Sequence, residues 1–246
     1  MNSYKTTTEL KSAARELLQG KYREYIAAYI TADLVLVLIS MVASSALPTD
    51  TTWGLIFDLA ISFVMELISA VFLLGMIHYT MNICKGQPYK LSDVFYGFRS
   101  QPDKAIISKF LFILAELVCL LPAILFAALY YITENSLLLI VMSIFMVIGL
   151  VAVIILHLTL HFVYYLILDY PDATIKELIV YSANMMCGHR VKLFYLYASF
   201  LPLYLLGILS LGIGLLFVEP YVNVTIAQFY LDVFFIKEEE IKPEEI

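Results

Sequence analysis

Long runs of apolar residues constrain this chain more than any other feature of its sequence. Several runs exceed the roughly 18 residues that indicate a helix able to cross a bilayer. Because 62% of the 246 residues are hydrophobic and only 15% are charged, water could not dissolve the surface of such a chain. The sequence therefore predicts an all-α, polytopic bundle of membrane helices.

About six transmembrane helices are predicted from these runs and from the polar breaks between them. The predicted spans cover residues 26–47, 54–84, 105–132, 136–168, 193–218 and 220–236. Short turns on one side are expected at 48–50, at 133–135, and at Glu219 with Pro220, since proline suits the first position of a helix. Residues 1–236 are assigned to one membrane domain and residues 237–246 to a charged, disordered tail.

The distribution of positive charge predicts the orientation. All 15 Lys and Arg residues lie near the N-terminus, in segments 85–109 and 176–192, or near the C-terminus. The three opposite turns contain Asp50, Glu134 and Glu219 and no basic residue. The positive-inside rule therefore predicts that both termini lie in the cytoplasm.

Three short amphipathic segments precede the first, third and fifth spans. Thr6 and Glu9 have the spacing of a capping box, and Thr174 and Glu177 repeat it at an offset of 168 residues. Ser92 is expected to cap a shorter helix in the second segment. These segments define repeat-like units of about 6–84, 91–168 and 174–236.

Common origin and chance similarity are both left open for these units. The apolar stripes of the three segments are too short to span a bilayer. They are expected to lie at the inner headgroup boundary, as a cytoplasmic collar. The alternative is that they pack against the protruding ends of the second and fourth spans.

Acidic side chains inside the predicted spans are the first candidate site residues. Polar groups are costly in hydrocarbon, so Asp33, Glu66 and Glu116 are expected to face protein or water. No Lys or Arg is placed inside a span to neutralise them. They are interpreted either as a proton or cation pathway or as protonated acids that form hydrogen bonds between helices.

A polar stripe in the predicted sixth span is the second candidate. Thr225, Gln228 and Asp232 share one face of that helix, which is expected to point into the bundle. The stripe either joins helices by hydrogen bonds, which is the preferred interpretation, or lines a cavity.

Histidines are the third candidate. His157 and His161 are four residues apart in the predicted fourth span, a spacing that helical metal ligands use. His78, at a similar depth, could complete such a site. Hydrogen bonding to water or headgroups is the preferred interpretation, and neither a metal nor another cofactor is predicted.

Three sets of residues resemble those of a known protein family. They are Thr7, Thr8, Glu9, Leu10, Ala14, Arg15, Leu18 and Gly20; Asp93, Val94, Phe95, Tyr96, Gly97 and Phe98; and Gly212, Ile213, Gly214, Pro220, Tyr221, Ala227, Phe229 and Tyr230. On these residues the chain resembles a family of uncharacterised integral membrane proteins of Gram-positive bacteria, known as a domain of unknown function. It also resembles, more distantly, the membrane domain attached to some glycerophosphodiester phosphodiesterases, whose catalysis belongs to a separate soluble domain. The resemblance implies the fold and a bacterial plasma membrane location, and it carries over no site.

Two functional hypotheses follow, and an enzyme that uses the histidines ranks behind both. There is no Walker, GxSxG, HExxH or CxxC motif, so an enzyme is not expected, and scattered basic residues exclude a nucleic-acid partner. The preferred hypothesis is a protein that organises the bilayer or assists a partner complex. The alternative is a small transporter or channel for a cation, a proton-coupled solute or a lipid.

The expected partners are membrane lipids, with a membrane-protein partner or a second copy of the chain left open. The two functional hypotheses differ in what they require of the bundle interior. A cavity that touches Glu66 or Glu116 would favour the transporter. A filled bundle would favour the organising role.

Overall fold

The fold is known from a computed structural model that describes residues 4–45 and 52–241, with the side chains of 4–43 and 52–235. All regular secondary structure in these residues is helical. The predicted turn at 48–50 lies outside them. In chain order the helices are α1 (Thr7–Leu18), α2 (Tyr22–Ser45), α3 (Thr52–Cys84), a 3₁₀ helix (Leu91–Phe95), α4 (Tyr96–Arg99), α5 (Pro102–Thr133), α6 (Ser136–Leu160), α7 (Val163–Asp169), α8 (Ile175–Met185), α9 (Arg190–Ala198), α10 (Leu201–Leu209) and α11 (Leu215–Ile241).

Five stretches of helix in the described residues are long and apolar enough to cross a bilayer. They match the first five predicted spans, so the prediction of a multi-pass membrane protein is confirmed. The helix that contains the predicted sixth span, α11, is not among them. The five are Tyr22–Ala43, Thr52–Cys84, Pro102–Thr133, Ser136–Asp169 and Arg190–Leu209.

The long helices form three hairpins. We call α2 with α3 hairpin one, α5 with α6 and α7 hairpin two, and α9 with α10 and α11 hairpin three. In hairpin two, α5 and α6 lie side by side along most of their length. Their tight turn confirms the predicted turn at 133–135. Glu134 has a left-handed φ of 51° and donates its N–H to Tyr130 at 2.8 Å, while Asn135 caps α6.

The turn of hairpin three is not where the sequence predicted it. The connection runs from Leu209 to Leu215, and Pro220 lies inside α11. Leu211 and Gly212 both have positive φ, at 57° and 85°, a conformation that glycine adopts without steric cost. The prediction was wrong because it placed the break at the polar Glu219, whereas the backbone reverses in an apolar stretch.

The helix α11 also extends beyond its predicted end. It continues to Ile241, past the predicted boundary at residue 236 and into the segment assigned to the tail. Residues 242–246 lie outside the described part of the chain.

The buried core lies at one end of the bundle. It is formed by α3 over 70–83, by α7, and by α11 over 218–233. Aromatic rings interlock there: Tyr165 stacks on Tyr230 with centroids 4.8 Å apart, and Phe162 meets Tyr230 edge-on at 5.0 Å. The other halves of hairpins one and two expose apolar side chains along their length, as helices in contact with lipid do.

The capping boxes at Thr6 and Thr174 both form. The N–H of Thr6 donates to Glu9 at 2.6 Å, and the N–H of Thr174 donates to Glu177 at 2.8 Å. Buried positions also recur at the 168-residue offset, beyond the short helices and into the next ones. The recurring pairs are Leu10 and Leu178, Ala14 and Ser182, Leu18 and Met186, Tyr25 and Leu193, Ala28 and Leu196, and Ala32 and Phe200.

The second amphipathic segment begins differently from the prediction. The N–H of Lys90 donates to the Asp93 carboxylate at 2.8 Å, so the residue before the helix is Lys90 and not Ser92. A carboxylate accepts a stronger hydrogen bond than a serine hydroxyl does. Val94 follows Asp93 and is fully buried, as Leu10 is after Glu9.

The apolar stripe of α1 packs inside the protein. Leu10, Ala14 and Leu18 are fully buried, and α1 contacts α11 more extensively than it contacts any other helix. Most of this stripe therefore packs against α11, and not against lipid headgroups or the ends of the second and fourth spans.

Candidate functional site: a cavity between the hairpins

A cavity of about 240 Å³ lies where the three hairpins meet. All three hairpins contribute side chains to it. Its lining combines apolar residues with titratable and hydrogen-bonding groups: Leu73, Ile77, Lys109, Phe112, Glu116, Leu156, His157, Leu160, His161, Tyr164, Tyr165, Tyr197, Asn223 and Ile226.

Glu116 and His157 form an acid–imidazole pair at the rim of this cavity. The Glu116 carboxylate lies 2.9 Å from His157 Nε2, and the side chains are 31% and 58% exposed. The pair forms because α5 and α6 lie side by side, which places the two residues opposite each other. Such a pair can exchange a proton or bind an ammonium group through its carboxylate.

Lys109 supplies a second charge pair to the cavity. Its ammonium lies 2.5 Å from the Glu66 carboxylate. Lys109 lies inside the apolar stretch Pro102–Thr133, so the expectation that no cation inside a span neutralises the acids is wrong. Lys109 and Glu116 are two helical turns apart and share one face of α5.

The break between α6 and α7 brings further polar groups to the cavity. His161 Nε2 lies 3.3 Å from the Tyr197 hydroxyl. Tyr164, three residues after His161, is only 6% exposed, and its ring meets that of Phe112 edge-on with centroids 5.9 Å apart. Its hydroxyl has no hydrogen-bond partner within the described residues. Buried hydroxyls are nearly always paired, so this one is available to a ligand.

The inner end of the cavity is closed by the core. Tyr165 and Ile226 line this end and are almost fully buried. Behind them the rings of Phe162 and Tyr230 pack against Tyr165. A molecule would therefore reach the cavity past the exposed rim and not through this aromatic layer.

A family profile described as "Protein of unknown function (DUF975)" matches residues 1–237. The chain belongs to this family. No curated protein and no solved structure matches the chain. The resemblance to a family of unknown function is thus confirmed for this DUF975 protein.

The predicted acids are separated in this DUF975 protein. Glu116 lines the cavity and Glu66 reaches it through Lys109. Asp33 does not line it; it lies on α2 beside Tyr29 and within electrostatic reach of Glu219. The three acids therefore do not converge on one point.

The polar stripe of α11 does not line the cavity either. Gln228 is buried beside Cys84 of α3. Asp232 accepts the N–H of Lys5 at 3.0 Å and lies 3.7 Å from the Lys192 ammonium. Asp232 therefore joins three segments of the chain.

The three histidines do not form one site. His78 stacks on Tyr96 with centroids 3.7 Å apart and meets Asn82 at 3.1 Å, and it is not part of the cavity lining. Within residues 4–45 and 52–241 no three His, Cys, Asp or Glu side chains are grouped so as to hold a metal ion. His157 and His161 do share the cavity, with Glu116 and Tyr197 as their respective partners.

Four polar cavity residues were not among the site residues predicted from the sequence: Lys109, Tyr164, Tyr197 and Asn223. Lys109 had a usable signal, because it shares a helix face with Glu116. The other three reach the cavity through the packing of separate hairpins, which no local pattern encodes.

Proposed function

We propose that this DUF975 protein is a non-enzymatic membrane protein that binds the polar head of a phospholipid in the cavity and moves or sorts lipids. The observation that carries the proposal is a cavity that touches Glu116 and contains the unpaired, buried hydroxyl of Tyr164. From the sequence alone, an organising role was the preferred hypothesis. A cavity that touches Glu66 or Glu116 was the feature expected to favour a transporter instead.

The exposed rim of the cavity supports a ligand that arrives from the bilayer. His157 and Leu73 form part of this rim. The surface beside them is apolar and exposed, as shown by Leu117 on α5 and Ile154 on α6. An opening framed by such residues faces lipid, so an amphiphile enters sideways while its tails remain in hydrocarbon.

The depth of the rim also suits a lipid head. At about 1.5 Å per residue, the helix from Ser136 to His157 is about 31 Å long, and that from Glu116 to Thr133 is about 25 Å. The hydrocarbon core of a bilayer is about 30 Å thick. If the turn at 133–135 lies at one surface, Glu116 and His157 lie near the opposite headgroup boundary.

The charges of the site favour a zwitterionic head. The pairs Lys109–Glu66 and His157–Glu116 each combine one base with one acid. Lys109 and the Tyr164 hydroxyl can donate to a phosphate, while Glu116 can accept from a primary ammonium. The volume of about 240 Å³ is below the 300–1,000 Å³ of pockets for drug-sized ligands, so the site fits a head and leaves the tails outside.

The proposed membrane placement puts one end of the bundle in the cytoplasm of a bacterial cell. We call it the cation-rich end, because it carries the N-terminus and the basic segments 85–109 and 176–192. The contact between the Lys5 N–H and Asp232 supports placing both ends of the described chain on one side. The cavity then lies at the cytoplasmic leaflet. We also propose that the recurrence of buried positions and capping boxes reflects three repeated units, with α1 and α8 near the cytoplasmic boundary.

Head-group selectivity in the purified full chain tests the proposal. Native mass spectrometry would measure retention of phosphatidylethanolamine, phosphatidylcholine and phosphatidylglycerol with the same acyl chains. Phosphatidylethanolamine should be retained most strongly, since only its head combines phosphate with a primary ammonium. Tyr164→Phe should weaken retention about 10- to 100-fold, as expected for one hydrogen bond to a charged phosphate. Glu116→Gln should weaken it about ten-fold or more.

Matched controls exist on the same hairpin. Tyr131→Phe and Glu134→Gln alter exposed residues near its turn and should leave lipid retention unchanged. Equal retention of all three lipids, or equal retention by Tyr164→Phe and Tyr131→Phe, would refute the lipid site. Displacement of the lipid by soluble phosphoethanolamine at matched concentration would instead identify a water-soluble ligand and overturn the lipid proposal.

A membrane-protein partner or a second copy remains a second candidate role, favoured by one observation. The outer halves of hairpins one and two expose apolar side chains such as Leu59 and Val118, and a partner helix would cover them as lipid does. Light scattering of the protein in nanodiscs would distinguish these cases, since a monomer would leave lipid as the covering.

A further inference from the structure

We infer that hairpin three does not cross the bilayer: it enters from the cation-rich side and turns back inside the hydrocarbon. The surface concerned is the tip of hairpin three, residues 209–215, and the partner that it fits is the acyl-chain region of the bilayer. This inference concerns membrane placement and does not depend on the proposed lipid site.

The first observation is a difference in reach, measured from the cavity that all three hairpins share. At about 1.5 Å per residue, α3 extends about 31 Å from Leu73 to its outer end at Thr52. In hairpin three, α11 extends only about 12 Å from Asn223 to Leu215. Both Leu73 and Asn223 line the cavity. The tip of hairpin three therefore ends about 20 Å short of the outer end of hairpin one.

A second pair of helices gives a similar difference. Tyr29 on α2 lies within electrostatic reach of Tyr204 on α10. From this level α2 continues about 24 Å to Ser45, whereas α10 continues only about 8 Å to Leu209. The two comparisons use different residues and agree that the tip lies about 16–20 Å below the outer ends of the other hairpins. In a hydrocarbon core of about 30 Å, that depth is near the middle.

The composition of the tip is the second observation. Leu211 is 94% exposed, and Leu209 and Ile213 are also largely exposed. The turn of hairpin two, in contrast, exposes Glu134 and Asn135. Exposed polar residues suit water, and an exposed turn of leucine and isoleucine suits hydrocarbon.

The hydrogen bonds of the tip are the third observation. Unpaired backbone polar groups are costly at membrane depth, and five of the six N–H groups of residues 210–215 are bonded within hairpin three. Gly212 donates its N–H to Gly207 at 3.1 Å, and Ile213 donates to Ser210 at 3.3 Å. Gly214 donates its N–H to the Ser210 hydroxyl at 2.8 Å, which itself donates to Gly207.

This placement changes the topology without changing the side of the termini. Hairpins one and two would supply four crossing helices, and hairpin three would return to the side from which it came. The stretch Arg190–Leu209 is long enough to cross by length alone, but its inner portion lies beside Tyr4, Lys5 and Asp232 at the cation-rich end. Lipid tails would fill the space beyond the tip, between the outer halves of hairpins one and two.

Site-directed cysteine labelling tests the inference. Cys84, Cys119 and Cys187 would first be replaced by serine, and single cysteines would then be introduced as Leu211→Cys and, in a second variant, Ile213→Cys. The control is Glu134→Cys in the turn of hairpin two. A membrane-impermeant maleimide added to the outside of intact cells should label the control at least about ten-fold faster than either tip variant, because thiols in hydrocarbon are not reached.

Nitroxide labels attached to the purified variants in nanodiscs provide a second readout. Collisions with oxygen should exceed those with a water-soluble nickel complex at Leu211→Cys, and the reverse should hold at Glu134→Cys. Maleimide labelling of Leu211→Cys and Ile213→Cys at the rate of the control would overturn the inference and show that hairpin three crosses. Size-exclusion chromatography shows whether each variant is folded. If only one of the two tip variants folds, its labelling alone decides the test. Loss of lipid selectivity in the cavity would leave these results unaffected.

Discussion

Replacement of Gly75 by alanine tests how hairpin one is fixed against the second amphipathic segment. A Cβ atom on Gly75 would lie 2.7 Å from the carbonyl carbon of Val94 and closer still to its oxygen. The atoms that it would meet belong to backbone, so no side-chain rotation can relieve the overlap. Gly97 has the reciprocal arrangement, with Val71 as its backbone neighbour. The two backbones therefore touch at two glycines.

The expected magnitude comes from two opposed effects. Overpacking of a tight contact costs about 1–3 kcal/mol and occasionally more, and here the backbone itself must move. Alanine in place of glycine within a helix returns about 1 kcal/mol. Because the backbone must move, the cost lies at the upper end of this range, and the net destabilisation is about 2 kcal/mol, which for a chain of this size lowers the Tm by about 4–8 °C.

Thermal unfolding of the detergent-purified protein, followed by loss of the monodisperse peak in size-exclusion chromatography, measures this change. Gly75→Ala should also weaken lipid retention, because Leu73 and Ile77 on the same helix line the cavity. Gly86→Ala is the control for lipid retention: its Cβ meets no atom within 4 Å and its φ of +65° costs about 1–2 kcal/mol of strain, so this variant should lose stability and keep its lipid. A Gly75→Ala variant as stable as the native chain would refute the close backbone contact.

Three further predictions concern the capped segments. Thr6→Ala and Thr174→Ala should each lower the free energy of unfolding by about 1 kcal/mol through loss of a helix cap, measured by thermal or denaturant unfolding. The N–H of Thr6 lowers the pKa of Glu9 below its ordinary value of 4.5. The stabilisation that ionised Glu9 contributes is therefore present above pH 4.5 and is lost as the pH falls through the depressed pKa. Glu9→Gln should remove this part of the acid sensitivity. The Tyr89 hydroxyl donates to Glu24 at 2.7 Å, which raises the pKa of Tyr89, and Glu24→Gln should lower it towards 10.0 in an absorbance titration.

Features encoded by neighbouring residues could be predicted from the sequence. The capping boxes at Thr6 and Thr174 need only an acid three residues later. The turn at Glu134 follows from a polar break between two long apolar runs. The hydropathy of these runs likewise located the long helices, because length and polarity alone decide which segments can cross a bilayer.

Features that depend on tertiary packing could not be predicted in this way. The turn near Gly212 is apolar, so polarity gives no signal there, whereas the polar Glu219 lies inside a helix. The Lys109–Glu66 pair needs the relative rotation of α3 and α5. The Tyr164 hydroxyl becomes a candidate ligand group only because the packed hairpins leave it without a partner.

Cryo-electron microscopy of the full chain in lipid nanodiscs tests the central claim most directly, since it shows both the cavity and the bilayer boundary. We predict density for a phospholipid head within hydrogen-bond distance of the Tyr164 hydroxyl, with its tails leaving the rim near His157. A cavity filled by protein side chains, with the Tyr164 hydroxyl bonded to one of them, would contradict it.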